Sequence, residues 1–299
     1  MKQSLKIMTV DDDVINLEIL NKNLKDAGFN SISFEDGDVA WEYLMQHPAD
    51  VDIVLLDKMM PNLNGMEVLS RMKKNENLRN IPVILQTGDM GVEQMREGLA
   101  AGAYYYLEKP FDPSIMISLV NAVIRDQLQK NDVRANIKQD QTLAHMLLDG
   151  RFRYKTLDEA KKLAAMLGQH AENPGEISIA LSEIMINAVE HGNLGIGYEE
   201  KNVLMAENRL EAEINRRMTL PEYINKVVCV RFQREAGKST ITINDEGNGF
   251  EWRDFLQFDP MRLTDLNGRG IATASLMGLA LEYRDNGSTV CCTYKLAGE

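Results

Sequence analysis

Short apolar runs in the first half of the chain lead repeatedly into a charged or hydroxyl residue where a strand would end. Five such runs alternate with segments of helical period, and this order predicts a doubly wound parallel sheet. The predicted strands are Lys6 to Val10, Ser31 to Phe34, Ile53 to Leu56, Pro82 to Gln86 and Tyr104 to Leu107. The residues that follow four of them are Asp11 and Asp12, then Asp57, then Thr87, then Lys109.

Residues that follow parallel strands meet in the crevice outside the carboxyl ends of the sheet. Three carboxylates in one crevice repel one another unless a cation lies among them, and Mg²⁺ suits carboxylate, water and phosphate oxygens. Asp57 is then a candidate nucleophile that forms an acyl phosphate. We expect Lys109 to pair with the new phosphoryl oxygens and the Thr87 hydroxyl to hydrogen-bond to one of them.

The residues of the first half resemble a response-regulator receiver domain. The resemblance is carried by Val10-Asp11-Asp12-Asp13, Leu55 to Pro61, Asn64-Gly65, Thr87-Gly88 and Glu108-Lys109-Pro110. It implies that Asp12, Asp57 and the carbonyl of Met59 ligate Mg²⁺ and that Asp11 acts through water. It also implies that Tyr106 is an aromatic switch, that Lys109-Pro110 is a cis peptide, and that an upstream histidine kinase or phosphotransfer protein phosphorylates Asp57.

Two other interpretations of these aspartates stay open. Asp11 to Asp13 could form an N-cap cluster for a helix from Val14 to Ala27. The domain could also be a receiver lookalike that is never phosphorylated.

The second half carries three motifs that predict a nucleotide pocket. Glu183 and Asn187 are four residues apart on a predicted helix, so they share a face. Asp245-x-Gly247-x-Gly249 follows a predicted strand, and its glycines allow close approach to a flat base. Gly268-Arg269-Gly270 opens a further helix, whose N-terminus offers N–H groups to phosphates.

Together these motifs resemble the ATPase fold shared by gyrase, MutL and histidine kinases, with the anti-sigma-factor serine kinases as the branch that looks closest. The resemblance implies an α/β two-layer sandwich that binds ATP and Mg²⁺. Asp245 would bind the adenine amino group, with Thr289 nearby. Asn187 would hold Mg²⁺ and Glu183 would be the general base.

The carboxylate at Glu183 favours a serine, threonine or water acceptor, because a hydroxyl must lose its proton whereas a neutral histidine is already nucleophilic. None of the four histidines lies in an H-E/D-x-x-x-P context. His191 lies four residues after Asn187, where it could touch phosphate or cap the helix end.

Composition sets the outer limits. A chain of 299 residues with 44% apolar residues predicts two domains, assigned as a receiver at 1–125, a helical connector at 126–149 and an ATP-binding domain at 150–299. The net charge of −12 argues against nucleic acid. Three cysteines without paired spacing, and no apolar stretch of membrane length, favour a soluble cytoplasmic protein that could dimerise through the connector. A charged helical segment at 195–225 departs from the kinase pattern.

We therefore expect a response regulator whose Asp57 controls an ATP-dependent protein serine kinase. By resemblance, its partner would be a STAS-like anti-sigma-factor antagonist or a sigma factor. The alternatives are a nucleotide-dependent binding module that sequesters its partner with little turnover, an atypical histidine kinase, and an ATPase without a protein acceptor.

Overall fold

The computed structural model describes residues 5–88, 97–137, 146–255 and 270–297. The chain divides into two compact units, and the division falls between Arg125 and Asp126. Each unit has its own five-stranded sheet. The two units are therefore described separately.

The first unit contains a parallel sheet in the order β2-β1-β3-β4-β5. This is the strand order of doubly wound folds whose ligand crevice lies between the first and third strands. The central strands are rich in Val, Ile and Leu and are buried on both faces, as expected when helices cover a parallel sheet. The strands are β1 Lys6–Val10, β2 Asn30–Phe34, β3 Ile53–Asp57, β4 Val83–Thr87 and β5 Tyr105–Glu108. The predicted parallel sheet is confirmed.

Four described helices accompany this sheet along the chain, and each begins beside a side chain that accepts a backbone N–H of the first turn. Asp13 caps α1 by accepting the Ile15 N–H at 2.8 Å, so the capping role weighed for this residue is confirmed. Asn64 and Glu67 form a reciprocal capping box on α3. The helices are α1 Val14–Asp26, α2 Gly37–Gln46, α3 Gly65–Lys74 and α4 Pro113–Ile137.

The second unit contains an antiparallel sheet in the order β6-β7-β8-β10-β9. Its strands are β6 Asp149–Tyr154, β7 Val228–Glu235, β8 Lys238–Asn244, β9 Ala280–Arg284 and β10 Thr289–Lys295. Its helices are α5 Leu157–Leu167, α6 Pro174–Asn187, α7 Tyr198–Ala206, α8 Leu210–Arg217 and α9 Gly270–Leu276. Three short helical turns complete the described part of the unit: Gly168–His170, the π-helical turn Ala188–Asn193 and Trp252–Phe255.

One face of the antiparallel sheet forms the core of this unit. Buried and less buried residues alternate along β8 and β10, which is the pattern of strands covered on one side. Phe232, Ile241 and Cys292 are fully buried in one cluster with residues of α5, α6 and α9. Complete burial of such apolar side chains contributes about 1.5–3 kcal/mol each. A sheet with helices packed on it is thus observed here, and it places the ends of β8 and α6 in one unit.

The Gly237 motif that resembles the end of a P-loop is a hairpin turn. Gly237 has φ of +75°, and Glu235 pairs with Lys238 across the turn. The sequence favours a hairpin turn over a P-loop at Gly237-Lys238-Ser239, because Phe232 stands where a P-loop needs its first glycine, and the hairpin turn is confirmed.

The charged segment at 195–225 is helical, as predicted, and folds as two helices, α7 and α8. Asn208 adopts a left-handed φ of 55° between α7 and α8, a conformation that ends a right-handed helix and that Asn tolerates better than most residues. Arg217 then ties the segment together. Its guanidinium donates to Glu213 at 2.8 Å, to the Leu194 carbonyl at 2.9 Å and to Glu200.

The predicted connector is partly helical, as α4 continues to Ile137. Its residues from Asp126 onward group with the second unit instead of standing apart. Residues 138–145 lie outside the described residues. Among the helices that are described, none combines the length and the apolar character that a bilayer crossing requires.

Gly65 offers a test of how closely α3 approaches β3. A Cβ at Gly65 would lie 2.1 Å from the Asp57 carbonyl oxygen, which is backbone and cannot swing away. We expect Gly65→Ala to lower the free energy of unfolding of the first unit by about 1–3 kcal/mol, as overpacked sites do. Urea unfolding followed by Trp41 fluorescence in a Trp252→Phe background measures it. Gly88→Ala is the control, because nothing lies within 4 Å of its added Cβ; an equal loss in both variants would contradict the argument.

Candidate functional sites

The first site is an acidic pocket at the carboxyl edge of the parallel sheet. Asp11 follows β1 and Asp57 ends β3, two strands that lie side by side. Carboxylate oxygens of Asp11, Asp12 and Asp57 lie within 4.8 Å of one another. Asp11 and Asp57 are buried, whereas Asp12 is exposed. The sheet therefore brings the three predicted carboxylates into one cluster that opens toward solvent at Asp12.

Lys109 bridges the two buried carboxylates of this cluster. Its Nζ donates to Asp11 Oδ2 at 2.6 Å and to Asp57 Oδ2 at 2.9 Å. Burial works to lower the pKa of Lys109, but the hydrogen bonds and charges of the two aspartates raise it overall. Three carboxylates and one ammonium leave two uncompensated negative charges. This oxygen-rich, doubly negative cluster fits Mg²⁺, which Asp11, Asp12 and Asp57 would hold and which would screen the approach of an anionic phosphoryl donor.

Asp57 is the carboxylate whose ionisation the site controls most directly. Burial raises its pKa, while the Lys109 hydrogen bond and charge and the Met59 N–H act to lower it. That N–H donates to Asp57 Oδ1 at 3.3 Å. Met59 is thus placed beside Asp57 through its backbone, and its side chain is exposed. The ligand role of the Met59 carbonyl stays a prediction.

The two predicted switch residues are buried on neighbouring strands. Thr87 ends β4 beside Glu108 of β5, and Tyr106 lies opposite Leu85. The Tyr106 ring points inward, since a Cβ on Gly98 would lie 1.5 Å from its hydroxyl oxygen. Burial raises the pKa of Tyr106 to about 12, so it is a neutral phenol. The Lys109-Pro110 peptide is cis, as predicted.

The second site begins where the first residue of α9 meets α6. Glu183 and Asn187 lie one turn apart on this helix, and both are partly buried. A Cβ on Gly270, the first residue of α9, would lie 2.9 Å from Glu183 Oε2 and 3.5 Å from Asn187 Nδ2. A side chain at position 270 would therefore displace the Glu183 carboxylate from its present place. Gly268 and Arg269 of the same motif lie outside the described residues.

Glu183 holds its proton more strongly than an ordinary glutamate. Burial raises its pKa to about 7, with Asp126 and Glu190 raising it and Lys130 and Lys201 lowering it. A carboxyl group in this range can accept and release a proton near neutral pH.

Asp245 lies in a second tight contact, at the end of β8. A Cβ on Gly192 would lie 2.4 Å from the Asp245 Cγ, and one on Gly247 would lie 2.4 Å from the Gly192 carbonyl oxygen. The Gly247 N–H donates to Asp245 Oδ1 at 2.8 Å, and burial raises the pKa of this carboxyl to about 6. Gly192 belongs to the π-helical turn that continues α6. Asp245 therefore contacts the same continuous helical element that carries Asn187. Such π turns recur at functional sites.

Two further predicted residues lie beside this contact without joining it directly. Thr289 pairs with Asn244 across β10 and β8, and its hydroxyl accepts the Asn244 amide at 2.7 Å. It is therefore one strand away from Asp245. Gly249 has φ of +76° and packs against Asn286, where an added Cβ would lie 2.2 Å from the Asn286 carbonyl oxygen.

His191 has a local role within the π turn. Burial, with the charge of Lys201, lowers its pKa to about 4, so the ring is neutral at pH 7. Its Nδ1 lies 2.6 Å from the Ile196 carbonyl and must carry the proton, because a carbonyl only accepts. This contact fits the helix-end role weighed for His191.

The sequence motifs did not predict two residues of this region, Gly192 and Lys201. Gly192 directly follows His191, close to the end of the helix that carries Glu183 and Asn187. This position in the sequence was the available signal that Gly192 belongs to the site. Lys201 of α7 pairs with the buried Glu190 carboxylate at 2.6 Å, and no sequence signal pointed to it because the two lie on separate elements.

Comparison with known proteins assigns the first half of the chain. The family model of the response regulator receiver domain matches residues 7–121. "Probable transcriptional regulator ycf29" of Pyropia yezoensis is 34% identical over 145 residues, 48% of this chain and 64% of that protein. The protein of the same name from Porphyra purpurea is 30% identical over 145 residues, 48% of this chain and 68% of that protein.

Among solved structures, the chemotaxis protein CheY4 of Vibrio cholerae is 27% identical, with a TM-score of 0.38 over 40% of this chain and 98% of its own. The chain spans 64% of the Pyropia protein and 18% of the protein RcaC of Microchaete diplosiphon. The receiver match ends at residue 121. The chain belongs to the two-component response regulators, with its receiver domain at residues 7–121.

Proposed function

We propose that phosphorylation of Asp57 controls an ATP-dependent protein serine kinase in the second unit. An upstream histidine kinase or phosphotransfer protein supplies the phosphoryl group to Asp57. The second unit transfers phosphate to a serine of a STAS-like anti-sigma-factor antagonist. The proposal joins the receiver assignment of the first half to the geometry of the second.

The observation that carries the kinase proposal is the contact of Gly270 with Glu183 and Asn187. Two motifs that lie 83 to 87 positions apart along the chain (Asn187 and Glu183 to Gly270) meet where a Cβ on Gly270 would lie 2.9 Å from a carboxylate oxygen of Glu183. Gly192, in the turn that continues α6, lies against Asp245 in the same way: a Cβ on Gly192 would lie 2.4 Å from the Asp245 Cγ. Glu183 lies against Gly270 and Asp245 lies against Gly192. A chance arrangement of surface residues would not be expected to place both carboxylates against glycines.

The chemistry of these groups suits transfer to a hydroxyl. Asn187 would hold the Mg²⁺ of the nucleotide, which neutralises phosphate charge. Glu183, with a pKa near 7, takes the proton of the acceptor hydroxyl as its oxygen attacks the terminal phosphorus, and ADP leaves. Asp245 accepts from the adenine amino group when it is ionised, and Thr289 lies one strand away.

The charge of the chain supports a protein acceptor. Its net charge of −12 disfavours binding to a phosphate backbone. A receiver that controls a phosphotransfer unit then alters transcription through a protein partner.

Nucleotide binding and turnover give the first test of this proposal. Mg-ATP should bind the full chain in calorimetry, and γ-labelled ATP should yield acid-stable phosphoserine on the partner. Glu183→Gln should keep binding and lower kcat about 10²- to 10⁴-fold, because a general base contributes that much. Glu176→Gln, an exposed glutamate on the same helix, is the matched control.

Three results would redirect the proposal. No heat with Mg-ATP would remove the nucleotide site. Binding with full partner capture and no turnover in the parent chain would favour a binding module. Acid-labile, base-stable phosphate would indicate a histidine acceptor.

The raised pKa of Glu183 predicts a pH dependence of stability. From its ordinary value of 4.5 up to about 7, the folded state binds more protons than the unfolded state. The free energy of unfolding therefore falls as pH rises through this window, by about 3 kcal/mol for this group at most. Glu183→Gln should flatten the fall and be more stable than the parent at pH 8. Trp252 fluorescence in a Trp41→Phe background measures it; identical pH profiles for parent and variant would refute the assignment.

The coupling between Asp57 and the kinase gives a third test. Beryllofluoride with Mg²⁺ should change kinase rate or partner affinity about 5- to 150-fold, the usual range of allosteric coupling. Asp57→Asn should abolish the response without changing Mg-ATP binding. An unchanged rate and affinity in the beryllofluoride-treated parent would leave the two units uncoupled.

A further inference from the structure

The second half of α4 packs as part of the second unit. Val133 is 1% exposed and lies in an apolar cluster with Ala165 of α5 and Ile179 of α6. Met277, just after α9, packs against the same cluster. Beside it, Lys161 of α5 binds Asp132 at 3.0 Å. The apolar contact thus seats this stretch of α4 on α6, the helix that carries Glu183, and the ion pair holds it to α5.

Helical spacing then places two charged residues of α4 in line with this contact. Asp126, Lys130 and Val133 are four and three residues apart, so they share one face. Ile179, which Val133 contacts, is four residues before Glu183 on α6, so these two also share a face. The face of α4 that seats on Ile179 is therefore the face that carries Asp126 and Lys130.

The ion pair on this face is shielded from solvent. Lys130 binds Asp126 at 2.9 Å, with side-chain exposures of 14% and 27%. Lys162 and Asp158 form the same (i, i+4) pair at 2.7 Å on α5, with exposures of 62% and 70%. The second pair is an ordinary surface pair, whereas the first is covered by its surroundings.

The electrostatics of Glu183 agree with this placement. Four charged groups act on its carboxyl: Asp126 and Lys130 from α4, Lys201 from α7 and Glu190 from the π-helical turn. The two from α4 act more strongly than those from the unit's own insertion or turn.

We infer that the second half of α4 forms a wall of the Glu183 site and that Lys130 is a positioning residue for the Glu183 carboxylate. Its importance for catalysis rests on the proposed kinase function, but its placement does not. Lys130 favours the ionised, base-competent form of Glu183, and Asp126, which acts on Glu183 more strongly, favours the protonated form. Since α4 begins in the receiver half of the chain, the charge beside the base depends on how this helix is seated.

A double-mutant cycle tests the placement without nucleotide. Lys130→Met, Glu183→Gln and the double variant are unfolded in urea at pH 8, with Trp252 as the reporter in a Trp41→Phe background. We expect the two substitutions to be coupled by at least about threefold in the unfolding equilibrium constant, as interacting residues are. The parallel cycle with Lys162→Met, the exposed pair, should show no coupling. Equal coupling in the two cycles, or none in the first, overturns the inference.

Kinetics test the positioning role. Lys130→Met should lower kcat at least about tenfold with KM for ATP little changed, and Lys130→Arg should restore it, since the positive charge is retained. Lys162→Met should match the parent. Turnover by the parent that Lys130→Met leaves unaltered would overturn the positioning role while the kinase proposal stands. Coupling in the cycle without any Mg-ATP binding would support the placement of Lys130 and remove the kinase proposal.

Discussion

The cost of burying a carboxylate governs both units of this protein. An ionised group taken out of water must be paired, hydrogen-bonded or protonated. Asp57 is held by Lys109 and a backbone N–H, and burial still raises its pKa. Glu183 and Asp245 have less compensation, and their pKa values rise to about 7 and about 6. Groups with strongly shifted pKa values are concentrated at functional sites, because their burial does not stabilise the core.

The two sheets bring their buried carboxylates together with other residues in different ways. In the parallel sheet, the strand ends converge, so Asp11, Asp57 and Lys109 meet through strand order alone. In the antiparallel sheet, neighbouring strand ends alternate in direction, so a cluster needs helices as well. There, α6 and its π turn bring Glu183 and Asn187 to Gly270, and Gly192 to Asp245. Glycines permit the second arrangement because two backbones or a backbone and a carboxylate approach to van der Waals contact.

This difference explains how far the sequence predicts each site. Strand-end residues of a parallel sheet can be read from apolar runs, and all five predicted strands lie within one residue of those observed. The pairing of Glu183 with Asn187 follows from helical period. The positions of Gly192, Lys201 and Lys130 do not, because they depend on how separate helices pack, and packing register leaves no periodic signal. The break at Asn208 has no sequence signal for a related reason: a charged helical pattern continues across a residue whose backbone turns left-handed.

The helix α4 shows why a covered ion pair can carry more information than an apolar contact. Val133 fixes where the helix lies. Apolar burial has no preferred direction, so a small shift of the helix that keeps Val133 buried costs little free energy. The interaction of Lys130 and Asp126 with Glu183 depends on distance and on exclusion of water, so a shift that barely alters burial changes the charge balance at the carboxyl. Under the proposed function, the seating of the second half of α4 on α6 is therefore a factor that sets the protonation of Glu183.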